Sequence, residues 1–243
     1  MTMQKFISKA GVLVSAISTA LFSQSAFADV NVSVDLTNAE HHYAQVALTL
    51  PASTQPSVDL KLPTWRTGRY EILNLANGIR EFSLGDSNSG GNKLTWQKVD
   101  KDTWRITGDL SEGIDVNYQI YANQLGKRTR HVDDSHAFLD ASGVVMYTDE
   151  TRDDKHTMQL TVPTTWRSVS GLEPGENSHQ FIAKDYDVLI DSPIETGINE
   201  FHQFTVDGRQ YELVIWGKGN YDSKQMVKDL KKLVATGDTI WSD

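Results

Sequence analysis

From residue 30 onward, apolar and polar residues alternate in short runs. Val30, Val32, Val34 and Leu36 are separated by polar side chains, the period of a strand with one face in a core. The same pattern predicts strands over 43–50, 58–62, 79–84, 93–99, 103–107, 114–121 and 158–162. Turn chemistry punctuates them: 85–92 is Gly-, Asn- and Ser-rich, and 171–177 is a second loop. Short strands at this spacing, without helices between them, predict an all-β fold, an antiparallel β-sandwich.

The pattern changes near Asp191. Residues 191–197 form a polar junction carrying Pro193 and Gly197. Two strands follow, 201–206 and 210–216, around an Asp207-Gly208 turn. The one helix the pattern predicts comes next. Asp222 or Ser223 can cap it, Met226, Val227, Leu230, Leu233 and Val234 recur at helical spacing, and Gly237 is placed to end it at C′. A hairpin and one amphipathic helix cover each other poorly, so 191–243 reads as the start of a second, incomplete domain after a sandwich domain of 29–190.

The first 28 residues are read differently. Lys5 and Lys9 precede an apolar run reaching Phe22, and Ala26 and Ala28 occupy the −3 and −1 positions of a cleavage site. This is the pattern of a bacterial secretory signal peptide, so a periplasmic or secreted protein is expected, free of the membrane after cleavage.

Charge and composition narrow the chemistry. With 23 Lys+Arg against 32 Asp+Glu, the chain is a poor partner for nucleic acid. It has no Cys, which removes disulfides, thiolate catalysis and Cys-ligated zinc. None of the seven histidines stands in a His-Glu-x-x-His pattern, and no Gly-x-Ser-x-Gly elbow or phosphate-binding loop is present. His41 and His42, adjacent on an expected strand, point to opposite faces. The densest polar cluster is 128–136, with Arg128, Arg130, His131, Asp133, Asp134 and His136. Its simplest reading is a loop held by Arg–Asp and His–Asp hydrogen bonds; a metal enzyme using His131, Asp133 and His136 is an alternative. Trp65, Trp96, Trp104 and Trp166 are read as core, whereas exposed in a line they would suit a sugar- or protein-binding module.

Four stretches carry a family likeness. Leu62-Pro63-Thr64-Trp65-Arg66-Thr67-Gly68-Arg69-Tyr70 followed by Asn74 to Ile79, Arg128 to Leu139, Asp185 to Glu195, and Gly217 with Asp229-Leu230 together resemble the N-terminal domain of the glycyl aminopeptidase family, the PDZ-containing zinc metallopeptidases. Thr67 departs from the Pro usual there, and Asp140 to Gly143 departs from a common Asn-Gly pair. In that family the β-rich domain precedes a thermolysin-like catalytic domain with His-Glu-x-x-His and then a PDZ domain. The resemblance therefore implies a non-catalytic, substrate-side domain of an enzyme that releases small N-terminal residues from peptides. Zinc is expected in the full-length enzyme, and no catalytic or metal-ligating residue is transferred to this chain. Acidic groups of such a domain can pair with the α-ammonium of the peptide, and Asp191 and Glu195 are the candidates. The competing reading is that Asp191-Ser192-Pro193 shapes the crossover between domains.

Overall fold

The structure is a computed structural model that describes residues 29–65, 71–85, 93–126 and 130–241. The signal-peptide assignment with Ala26 and Ala28, most of the 85–92 linker, and the Arg66–Tyr70 and Arg128–Thr129 parts of the family motifs lie outside the described residues.

The alternating runs become strands, as the pleat requires. β1 (Val30–Asp35) and β2 (Tyr43–Leu50) pair antiparallel with Val34 opposite Val46, and their apolar residues are buried on one face. With β4 (Ile79–Leu84), β7 (Ile114–Tyr121), β10 (His156–Thr161), β12 (Glu173–Pro174) and β13 (Gln180–Ala183) they form a seven-stranded sheet in the order β12-β13-β10-β1-β2-β7-β4. All its pairs are antiparallel except β1 with β10. A three-stranded sheet is ordered β3-β6-β5, from β3 (Ser57–Lys61), β5 (Thr95–Asp100) and β6 (Thr103–Thr107). A four-stranded sheet is ordered β11-β14-β9-β8, from β8 (Arg130–Val132), β9 (His136–Leu139), β11 (Arg167–Ser170) and β14 (Ile194–Gly197). Leu48, Val116 and Met158 from the first sheet, Leu60 and Ile106 from the second, and Leu139 and Ile194 from the third meet in one core. The fold is the expected all-β, sandwich-like class.

Several short elements escape the sequence pattern. β8 is buried at all three positions and β9 at three of four, so neither alternates. A six-residue helix, α1 (Tyr186–Asp191), was not expected. It is too short to show a period, but Asp185 caps it by accepting from the Val188 N–H at 2.7 Å. His41 and His42 are not on a strand. His41 ends a single 3-10 turn, and His42 closes it in the left-handed region at φ 64°. Residues 194–197, expected within a polar junction, form a strand between β9 and β11.

Beyond that strand, β15 (Glu200–Val206) and β16 (Arg209–Ile215) make a separate two-stranded ribbon. Asp207 and Gly208 both have positive φ, 46° and 80°, which is the two-residue hairpin turn anticipated at this dipeptide. α2 (Ser223–Trp241) packs on β15. Asp222 is its cap, its carboxylate accepting from the Gln225 N–H at 3.1 Å. Gly237 does not end the helix, which continues to Trp241. No proline follows to stop it, Arg209 pairs with Asp238 at 3.2 Å, and an interior glycine costs only about 1 kcal/mol. Lys228, Lys231 and Lys232 lie in mid-helix.

Candidate functional site

The β8–β9 hairpin concentrates the titratable side chains. Its turn is organised by Asp133, whose Oδ1 accepts from the Ser135 N–H at 2.8 Å, the Ser135 hydroxyl at 2.7 Å and the His136 N–H at 2.9 Å. The other carboxylate oxygen accepts from His131 Nε2 at 3.0 Å. Burial opposes ionisation of Asp133, but these hydrogen bonds outweigh it and hold the carboxyl well below the usual range. His136 Nδ1 lies 3.5 Å from Asp133 Oδ1 and makes no hydrogen bond. Burial pushes His136 down, against the pull of Asp133, so the ring is neutral at pH 7.

Other elements close around the hairpin. His42 donates from Nδ1 to the Val132 carbonyl at 2.6 Å, and its ring lies 5.6 Å from that of His131. Trp216, at the end of β16, stacks on His136 with ring centres 3.7 Å apart and donates from its indole N–H to the Ser135 hydroxyl at 3.0 Å. Gly197 passes so close that a Cβ there would overlap His136. The ribbon is thus docked on the hairpin by a specific contact, reinforced by Arg167, which reaches Glu212 at 2.7 Å and lies over Phe201.

Arg130 anchors the hairpin from the opposite side. It is 8% exposed, and its guanidinium donates to three main-chain carbonyls, those of Tyr121, Gly143 and Leu75, at 3.1, 2.6 and 2.7 Å. Burial pushes it down to about 10, so it remains charged at neutral pH. The expected Arg–Asp bonding within the loop is replaced, for Arg130, by bonding to carbonyls. Gly78 and Gly143 leave the space the guanidinium fills, and a Cβ at either would collide with it.

The two candidate anchors sit in different surroundings. Glu195 lies on β14, next to the hairpin, and accepts from Asn199 Nδ2 at 3.1 Å. Burial raises its carboxyl to about 7; the Asn199 hydrogen bond opposes this, and the negative charge of Asp133 adds to it. Asp191 is exposed and lines an open depression of about 690 Å³ with Trp65, Tyr147, Arg152, Tyr186 and Asp187. The structure therefore does not join Asp191 and Glu195 in one pocket. The tryptophans divide too: Trp104 and Trp166 are buried, whereas Trp65 and Trp96 are exposed. Trp96 packs edge-on against Phe82, and among the described residues no ring contact links it to Trp65. Trp216 and His42 were not anticipated as site residues, because each reaches the hairpin from a distant part of the chain.

Residues 31–198, most of the chain, match the profile of the peptidase M61 N-terminal domain. The chain belongs to the M61 peptidase family. Among solved structures, the M61 domain resembles an aminopeptidase N family protein from Idiomarina loihiensis, with TM-score 0.80 and 23% identity over 88% of this chain. This chain spans 37% of that protein's length. A zinc metallopeptidase of the M1 family from Deinococcus radiodurans aligns more loosely, with TM-score 0.41 and 12% identity over 84% of this chain and 51% of its own. No curated protein sequence matches the M61 chain.

Proposed function

We propose that this chain is the non-catalytic, substrate-side domain of a secreted zinc aminopeptidase that releases small N-terminal residues such as Gly or Ala. The observation that carries the reading is the M61 N-terminal-domain match over residues 31–198 in a sequence with no His-Glu-x-x-His. The full-length enzyme would carry its catalytic zinc on a thermolysin-like domain, followed by a PDZ domain. In this reading 1–28 is a signal peptide that directs the protein to the periplasm or medium, the sandwich through the strand at 194–197 is the scaffold domain, and the ribbon and α2 that follow open the catalytic one.

Glu195 is the better candidate for meeting a peptide α-ammonium. It is half-buried, it feels the negative charge of Asp133, and an arriving cation would favour its ionised form. Asp191, exposed on another rim, fits the crossover role better.

The test is an assay of the purified chain with added zinc on Gly- and Ala-capped chromogenic amides. No turnover is expected, because this chain supplies no peptidase-type zinc site to activate water. Chelator-sensitive turnover would overturn the reading. A second reading, a sugar-binding module, is favoured by one observation, the half-exposed Trp65 over the aromatic depression. Glycan-array binding lost in Trp65→Ala would establish it.

A further inference from the structure

One ligating atom from each of His131, Asp133 and His136 falls within 4.8 Å of the others. His131 Nε2 and His136 Nδ1 approach the two oxygens of one carboxylate, at 3.0 and 3.5 Å. Donor atoms bound to a single tetrahedral zinc, at roughly 2.0–2.2 Å from the ion, are separated by about 3.3 Å, a value that the two nitrogen–oxygen spacings bracket. The second observation concerns His136 itself. The residue is 2% exposed, and its Nδ1 makes no hydrogen bond although it faces the carboxylate. A buried polar nitrogen without a partner is costly and calls for one.

We propose that His131, Asp133 and His136 form a binding site for one divalent transition-metal ion of the zinc class, separate from the catalytic zinc of the full-length enzyme. Two imidazoles and one carboxylate form a donor set that favours zinc, cobalt, nickel or copper over magnesium and calcium, which prefer all-oxygen cages. Asp133 is already oriented for this role. The Ser135 and His136 N–H groups and the Ser135 hydroxyl fix its carboxylate, the kind of outer support that ligating carboxylates have. His131 would ligate through Nε2 as the neutral ring with its proton on Nδ1. Trp216, stacked on His136, closes one face of the site. The hairpin rather than the ribbon supplies all three ligands, so an ion would brace β8 and β9 and place a cation beside Glu195.

The full chain, stripped with chelator and desalted, is titrated with zinc and with cobalt. One equivalent of tightly held zinc is expected, together with the visible absorption of low-coordinate cobalt. His131→Ala and His136→Ala should each abolish retention, while His202→Ala, on the separate ribbon, should retain it. Should either ligand variant fail to fold, histidine NMR of the wild-type chain decides the matter: zinc must shift the His131 and His136 ring signals and leave His202 and His179 in place. Copper should also quench the Trp216 fluorescence, an effect lost in Trp216→Phe. No stoichiometric uptake by the wild type, or uptake that persists in both ligand variants, overturns the proposal. Neither result touches the scaffold reading, which requires no ion in this chain.

Discussion

The sandwich and the ribbon-plus-helix are both amphipathic, yet they bury their apolar residues very differently. Leu36, Leu60, Ile106, Ile120 and Leu139 of the sandwich are 0% exposed, and three sheets contribute to their common core. In α2, Leu233 is 68% and Ile240 66% exposed, and Phe204 and Val206 are buried apart from that core. Period alone does not distinguish the two. An apolar stripe becomes a core only when opposing layers supply a second apolar face, and one helix on a two-stranded ribbon supplies too little. What attaches the ribbon to the sandwich is polar and aromatic: Trp216 on His136, and Arg167 with Glu212 and Phe201.

The largest expected effect tests whether the sandwich depends on its buried cation. Arg130→Ala strips three carbonyls of their donor and leaves a cavity, so a loss of about 3–5 kcal/mol is expected in urea unfolding. Arg130→Lys keeps the charge but not the fork, and should recover only part of it. An Arg130→Ala midpoint equal to wild type would show that water replaces the guanidinium without cost.

Next comes a paired substitution across the two regions. Leu48→Ala, in the core of β2, should cost about 2–5 kcal/mol, whereas Leu233→Ala on α2 should stay within about 0.5 kcal/mol. Similar costs would mean that α2 is covered in solution, for instance by a second copy, and the effect of Leu233→Ala should then depend on protein concentration.

The legibility of the sequence follows the same division. Strands with one buried face, such as β1, β2 and β7, were readable because their burial alternates with the sequence. β8 and β9 were not, because both faces are covered and the runs are only three and four residues long. Gly237 carries the local signal of a helix end, yet α2 runs through it to Trp241, because a glycine inside a helix costs only about 1 kcal/mol. The site was half legible. His131, Asp133 and His136 stand close in sequence, and Glu195 was singled out. Trp216, 80 residues beyond His136, and His42, 89 residues before His131, join them only through tertiary pairing.

A proton is held where the sandwich leads into the ribbon. Glu195 has its carboxyl raised from an ordinary value near 4.5 to about 7, so the folded state holds that proton more tightly than the unfolded chain. Stability should therefore fall as pH rises from about 4.5 to 7, with the penalty complete above 7 and absent below 4.5. Glu195→Gln keeps the acceptor for Asn199 and removes the charge. It should stabilise the chain by about 1–2 kcal/mol at pH 8, after allowing for partial exposure, and leave it unchanged near pH 4.5. Thermal melts of both proteins across this range measure the difference directly. A constant offset at every pH would mean that packing, rather than ionisation, distinguishes the two.

The smallest effect bears on the join itself. Trp216→Ala removes one ring stack and one hydrogen bond to Ser135, together worth about 1–2 kcal/mol where they hold ribbon to hairpin. Because neither Trp216 nor the adjoining Ile215 belongs to the sandwich core, global unfolding should shift little. Local opening should shift more, since the ribbon is held by few buried apolar contacts. Limited proteolysis should cleave the variant faster within 198–222 while the 29–197 fragment survives, and hydrogen exchange should quicken in β15 and β16 but not in β1 or β2. Equal acceleration in both sheets would show that the ribbon and the sandwich open as one unit, and the contrast in burial would then have no counterpart in cooperativity.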